Sequence, residues 1–94
     1  MKAQIYNFAV WIKETNPKKL KENFNNLLLD SGFEIVGVVD KHFEPYGYTV
    51  LFLLSESHLA IHTFPEHQET YIELSSCIKP PFNLFIQNYE NRQK

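Results

Sequence analysis

Apolar positions along this chain follow two periods, and the switches between them mark out its elements. Residues 3–12 are rich in β-branched and aromatic side chains and predict a strand. Asn16-Pro17 then supplies an N-cap and a first-turn proline. Leu20, Phe24, Leu27 and Leu28 follow at helical spacing, and Gly32 is placed to end that helix. Phe33 to Val39 predicts a second strand, and Glu44-Pro45-Tyr46-Gly47 a turn. Thr49 to Leu54 is nearly all apolar, the pattern of a central strand buried on both faces. His58 to Phe64 and Tyr71 to Cys77 predict two more strands, joined by a polar loop over residues 65–70. Lys79-Pro80-Pro81 starts a short helix through Phe82, Leu84, Phe85 and Tyr89. Adjacent strands with only two helices predict an α+β fold, an antiparallel sheet with both helices on one face.

Side chains alternate faces along a strand. His58, Ala60, His62 and Phe64 therefore share one face, as do Tyr71, Glu73, Ser75 and Cys77 on the next strand. One face of the sheet packs on the helices, and the other collects His, Glu, Ser and Cys. That second face is either open to solvent or covered by a second copy of the sheet. A hairpin of these two strands is expected to oppose His58 to Cys77 and His62 to Glu73, with the thiol beside Ser57. Five strand residues at ~3.3 Å each put His62 roughly 16 Å from Ser57. Thr49 lies roughly 26 Å away if its strand runs straight. Chemistry that combines all four groups needs a second protomer, two-fold related, with two mixed sites per dimer.

Composition narrows the functional classes. Ninety-four residues make a single domain, 1–94, and eight Phe, five Tyr and one Trp can build its core. A domain this small gains from dimerisation. The net charge of −2 argues against a nucleic-acid partner, and Lys18-Lys19-Lys21 reads as a solvated helix face. A single cysteine forms no internal disulfide, so nothing calls for an oxidising compartment. Lys2, Gln4 and Asn7 interrupt the apolar N-terminus, and no stretch reaches the ~20 apolar residues of a membrane span. The expectation is a cytoplasmic protein with no membrane partner.

The chemistry concentrates in Ser55-Glu56-Ser57-His58-Leu59-Ala60-Ile61-His62-Thr63-Phe64-Pro65-Glu66 and in Cys77, twenty residues past Ser57. A serine after a glutamate, two histidines four apart and one thiol are the parts for a serine that cleaves its own backbone. Taken singly each has an ordinary reading: a strand-start serine, a small buried thiol, a surface histidine. His58 and His62 stand ~13 Å apart on a strand and cannot share a metal, so none is expected. His58 reads as structural, beside Cys77, and Trp11, Tyr6 and Phe8 as core.

This segment closely resembles the S-adenosylmethionine decarboxylase family in its small prokaryotic, pyruvoyl-dependent form. The resemblance covers residues ~33–78 in detail and the first forty residues by element order. It implies a zymogen that cleaves itself between Glu56 and Ser57, leaving pieces 1–56 and 57–94. By resemblance Ser57 is the precursor of the pyruvoyl group, His62 assists ester elimination, and Cys77 protonates the product. Thr49 falls where the family usually has a serine that helps processing, keeping the hydroxyl with a stiffer χ1. Phe43 matches an aromatic that stacks on adenine, and Glu66 a carboxylate that binds the ribose hydroxyls. The resemblance also implies a homodimer with sites shared between protomers, a four-layer αββα sandwich. The implied reaction is decarboxylation of S-adenosylmethionine for spermidine and other polyamines, through a Schiff base on the pyruvoyl carbonyl. The alternatives are the same cofactor acting on arginine or ornithine, and an unprocessed ligand-binding homologue. Ile78 stands where the family usually has glycine, and Phe64 where it usually has tryptophan, as in a truncated or divergent member.

Overall fold

The computed structural model describes residues 3–93. Its elements run β1 (Tyr6–Ile12), α1 (Pro17–Asp30), β2 (Ile35–His42), β3 (Tyr48–Leu54), β4 (Ser57–Phe64), β5 (Glu69–Ser76) and α2 (Lys79–Arg92), with a 3₁₀ turn over Pro65–His67. The strands form one antiparallel sheet in the order β1-β5-β4-β3-β2, as the α+β expectation required. Hairpins link β2 to β5 in sequence, and β1 closes on β5 from the far side.

Helix α1 starts where its cap places it: Asn16 Oδ1 accepts the Lys19 N–H at 2.9 Å, with proline in the first turn. It ends at Ser31, whose hydroxyl donates to the Leu27 carbonyl, and at Gly32, whose φ of +95° suits glycine. Leu20, Phe24, Leu27 and Leu28 bury its inner stripe against Val50, Phe52, Leu54, Leu59, Ile61, Ile72 and Leu74 of the sheet. Helix α2 covers the other half, with Phe82 and Phe85 buried and Phe8 edge-on to both Phe85 and Tyr89. This helix is longer than expected, running on to Arg92, which pairs with Asp30 at the end of α1. No helix among the described residues is long and apolar enough to cross a membrane.

Among the described residues, no layer covers the other face of the sheet. Strand β3 is therefore not buried on both faces: Tyr48, Val50, Phe52 and Leu54 are buried, while Leu51 and Leu53 are 42% and 58% exposed. Trp11 likewise belongs to the open face, 55% exposed and packed on Tyr71 and Phe64 rather than in the core. Tyr6 and Phe8 are half-buried against α2, as their side of β1 requires.

Candidate active site

A tight turn at Ser55-Glu56 joins β3 to β4, and Ser57 begins β4 between Leu54 and Ser76. The Ser57 hydroxyl donates to Ser76 Oγ at 2.7 Å. Ser76 in turn donates to the Ile78 carbonyl and accepts the Ile78 N–H at 3.0 Å. Just past β5, Cys77 Sγ lies 3.2 Å from the carbonyl oxygen of Glu56 and 3.6 Å from its carboxylate. One turn thus brings together a hydroxyl, the carbonyl that precedes it in the chain, and a thiol directed at that carbonyl's oxygen. A donor placed there polarises the C=O bond and stabilises negative charge on the oxygen when a nucleophile adds.

The β4–β5 register differs by two residues from the expected hairpin. His58 opposes Ser75 and His62 opposes Tyr71, while Glu73 faces Ala60. The 3₁₀ turn and the left-handed Gln68, with φ of 57°, use fewer residues than the anticipated six-residue loop. The shift takes His58 away from Cys77, leaving it exposed on β4, and sets the thiol against Glu56 instead.

At the opposite end of β4, His62 pairs directly with Thr49 of β3, and His62 Nδ1 and Thr49 Oγ1 share a hydrogen bond of 3.0 Å. Strand β3 returns antiparallel from Leu54, beside Ser57, so the straight-strand separation of Thr49 does not apply. Thr49 stands level with His62, roughly 16 Å along the strands from Ser57. The loop before β3 is closed by the Phe43 N–H donating to the Gly47 carbonyl at 2.8 Å. Gly47 has a φ of +117°, a conformation that only glycine adopts freely. The Tyr48 N–H donates to Thr63 Oγ1 at 2.9 Å. Together these contacts shape a shallow cavity of about 270 Å³ lined by Phe43, Tyr46, Thr49, His62 and Glu66 among others.

Below that cavity Asp40 Oδ2 accepts from the Tyr48 hydroxyl and from Lys21 Nζ. The Tyr48 bond and the Lys21 ammonium hold the Asp40 carboxyl below its ordinary value. Burial, then the bond to Asp40, pushes the Tyr48 phenol far above its own.

The seven residues singled out from the sequence therefore fall in two groups. Glu56, Ser57 and Cys77 meet at the β3–β4 turn, and Phe43, Thr49, His62 and Glu66 surround the cavity at the other end of β4. A larger cavity of about 710 Å³, between the end of β1 and the two helices, contains none of them. Two residues with contacts in these groups were missed: Ser76, which holds the Ser57 hydroxyl, and Tyr46, which lines the cavity. The adjacent serines at 75 and 76 were visible, and strand alternation puts Ser76 on the same face as Ser57, but only the register sets the two directly opposite each other.

The family model for S-adenosylmethionine decarboxylase matches residues 11–85. S-adenosylmethionine decarboxylase proenzyme 2 of Bacillus cereus is 53% identical over 47 residues, which are 50% of this chain and 38% of that protein. The S-adenosylmethionine decarboxylase proenzyme of Geobacillus kaustophilus is 41% identical over 58 residues, 62% of this chain and 47% of that one. The chain thus spans less than half the length of either relative. The fold is that of the adenosylmethionine decarboxylase from Aquifex aeolicus, with a TM-score of 0.70 at 19% identity over 93% of this chain and 81% of that chain.

Proposed function

The chain belongs to the S-adenosylmethionine decarboxylase family, and we propose that it is a self-processing, pyruvoyl-dependent decarboxylase of S-adenosylmethionine serving polyamine synthesis. The observation that carries the reading is the Cys77 thiol 3.2 Å from the Glu56 carbonyl, next to the Ser57 hydroxyl. In the proposed maturation Ser57 Oγ bonds to the Glu56 carbonyl carbon, the Glu56–Ser57 peptide bond breaks, and the hydroxyl proton ends on the freed nitrogen. Elimination removes the Ser57 α-proton and breaks the Cβ–O bond, releasing the Glu56 carboxylate. Water then displaces the nitrogen as ammonia and leaves the pyruvoyl carbonyl at the head of residues 57–94.

The residues fit such a group. Ser57 begins a central strand, so the new terminus stays anchored by pairing on both sides, and a thiol already stands at the cut. The group supplies an electron sink as the carboxylate leaves. Cys77 is then the proton donor to the product carbon, and Phe43 and Glu66 bind the nucleoside, one through its ring face and one through its carboxylate.

His62 and Thr49 support a shared site. Their separation of roughly 16 Å from Ser57 lets them act there only from a second copy. The open sheet face, with Leu51, Leu53 and Trp11 exposed, suits that copy: two such faces stacked would bury them in a four-layer homodimer.

Mass spectrometry of the denatured protein after expression tests the reading. Two fragments divided at 56|57 are expected, the smaller blocked at its N-terminus, and Ser57→Ala should remain whole. A wild-type chain that persists as a single 11.1 kDa species would overturn self-processing and favour an unprocessed ligand-binding protein. Carbon dioxide release from S-adenosylmethionine, set against arginine and ornithine, then assigns the substrate.

A further inference from the structure

We propose that Ser76 is the positioning residue for self-cleavage, its hydroxyl fixing the direction in which the Ser57 hydroxyl points. The inference rests on the self-processing reading above. Ser76 is 1% exposed, at the end of β5 on the core face, and a hydroxyl there must satisfy its hydrogen bonds within the protein. A hydroxyl has one hydrogen to donate and two lone pairs to accept with. Ser76 spends its hydrogen on the Ile78 carbonyl and one lone pair on the Ile78 N–H. With the Ile78 carbonyl at 3.3 Å taking that hydrogen, an acceptor position is left for Ser57, which donates to Ser76 at 2.7 Å.

That direction matters for the reaction. A hydroxyl attacks through a lone pair, and a hydrogen aimed at the target carbonyl blocks the approach. With its hydrogen drawn toward Ser76, the Ser57 oxygen keeps its lone pairs for the Glu56 carbon, whose oxygen Cys77 polarises. In the step itself the Oγ–C bond forms, the C–N bond breaks, and the proton passes from Ser57 Oγ to Ser57 N. Ser76 neither gains nor loses a proton overall. The residue that grips Ser76, Ile78, does so only through its backbone, so the anchor does not depend on the side chain at that position.

The test compares Ser76→Thr with Ser76→Val, two β-branched side chains of nearly equal shape that differ in the hydroxyl, with Ser76→Ala as a third variant. Two readouts are followed on the full chain: fragment appearance by mass, and the ester itself, trapped by hydroxylamine, which cuts an oxygen ester but leaves an amide intact. Ser76→Thr should cleave within a few-fold of wild type, while Ser76→Val and Ser76→Ala should lose roughly 10- to 100-fold in ester formation. Circular dichroism identifies any variant that fails to fold, and the comparison then rests on the remaining hydroxyl-free variant. Equal ester formation by wild type, Ser76→Thr and the hydroxyl-free variants would overturn the role of Ser76 and leave self-processing standing. A wild-type chain that yields neither ester nor fragments would overturn self-processing and this inference with it.

Discussion

At Asp40 one carboxylate oxygen takes two hydrogen bonds, 2.7 Å from the Tyr48 hydroxyl and 3.1 Å from the Lys21 ammonium. They tie α1 to β2 and β3 beside the cavity that holds Thr49 and His62. Because the folded carboxyl lies below its ordinary value of 3.8, its contribution is complete above that pH and is lost as the pH falls through the lowered folded value. Asp40→Asn should therefore shrink the difference in urea midpoint between about pH 7 and about pH 2.5. An unchanged difference would place the acid sensitivity elsewhere. At this scale the sequence was informative where chemistry is local: Ser57, Cys77 and His62 stand out by type and spacing. It was silent on Ser76 and on the Asp40–Tyr48 bond, because both depend on which strand residues face one another. A register displaced by two residues keeps every side chain on its face while changing its neighbour, so the faces were legible and the partners were not.

Among the elements, α1 was the most legible. Its cap, first-turn proline, apolar stripe and terminal glycine agree, and each is used as anticipated. Asn16→Ala should cost ~1 kcal/mol by orphaning the Lys19 N–H, read as a lower denaturant midpoint at unchanged slope. A loss of less than about 0.3 kcal/mol would show that water replaces the side chain fully. Strand β3 misled for a physical reason. A continuous apolar run signals burial on two faces, yet one chain covers only one of them, leaving Leu51 and Leu53 in solvent. The apolar run records a surface suited to a further layer, and in the proposed homodimer a second sheet supplies it. Helix α2 runs past its expected end at Tyr89 because its last three residues, Glu90 to Arg92, are polar and exposed, where hydrophobic spacing gives no signal.

For the whole molecule, the separation of the two residue groups along β4 leads to a complementation experiment. His62→Ala and Cys77→Ala should each be poorly active alone, and mixing them with subunit exchange should restore up to about a quarter of wild-type activity, since only mixed dimers carry one intact shared site. No recovery after confirmed exchange would refute a site built from two protomers. The strand order carries a last consequence for a chain cut at the β3–β4 turn. Segment 57–94 contributes β4 and β5, which lie side by side with β1 on one flank and β3 on the other, both supplied by residues before the cut. The downstream piece is held like a tongue between two jaws of the upstream one. To escape, it must unzip two ladders at once and lift α2 off the rings of Tyr6 and Phe8. The severed halves thus remain a single body without any covalent tie, and part only when the fold itself is lost.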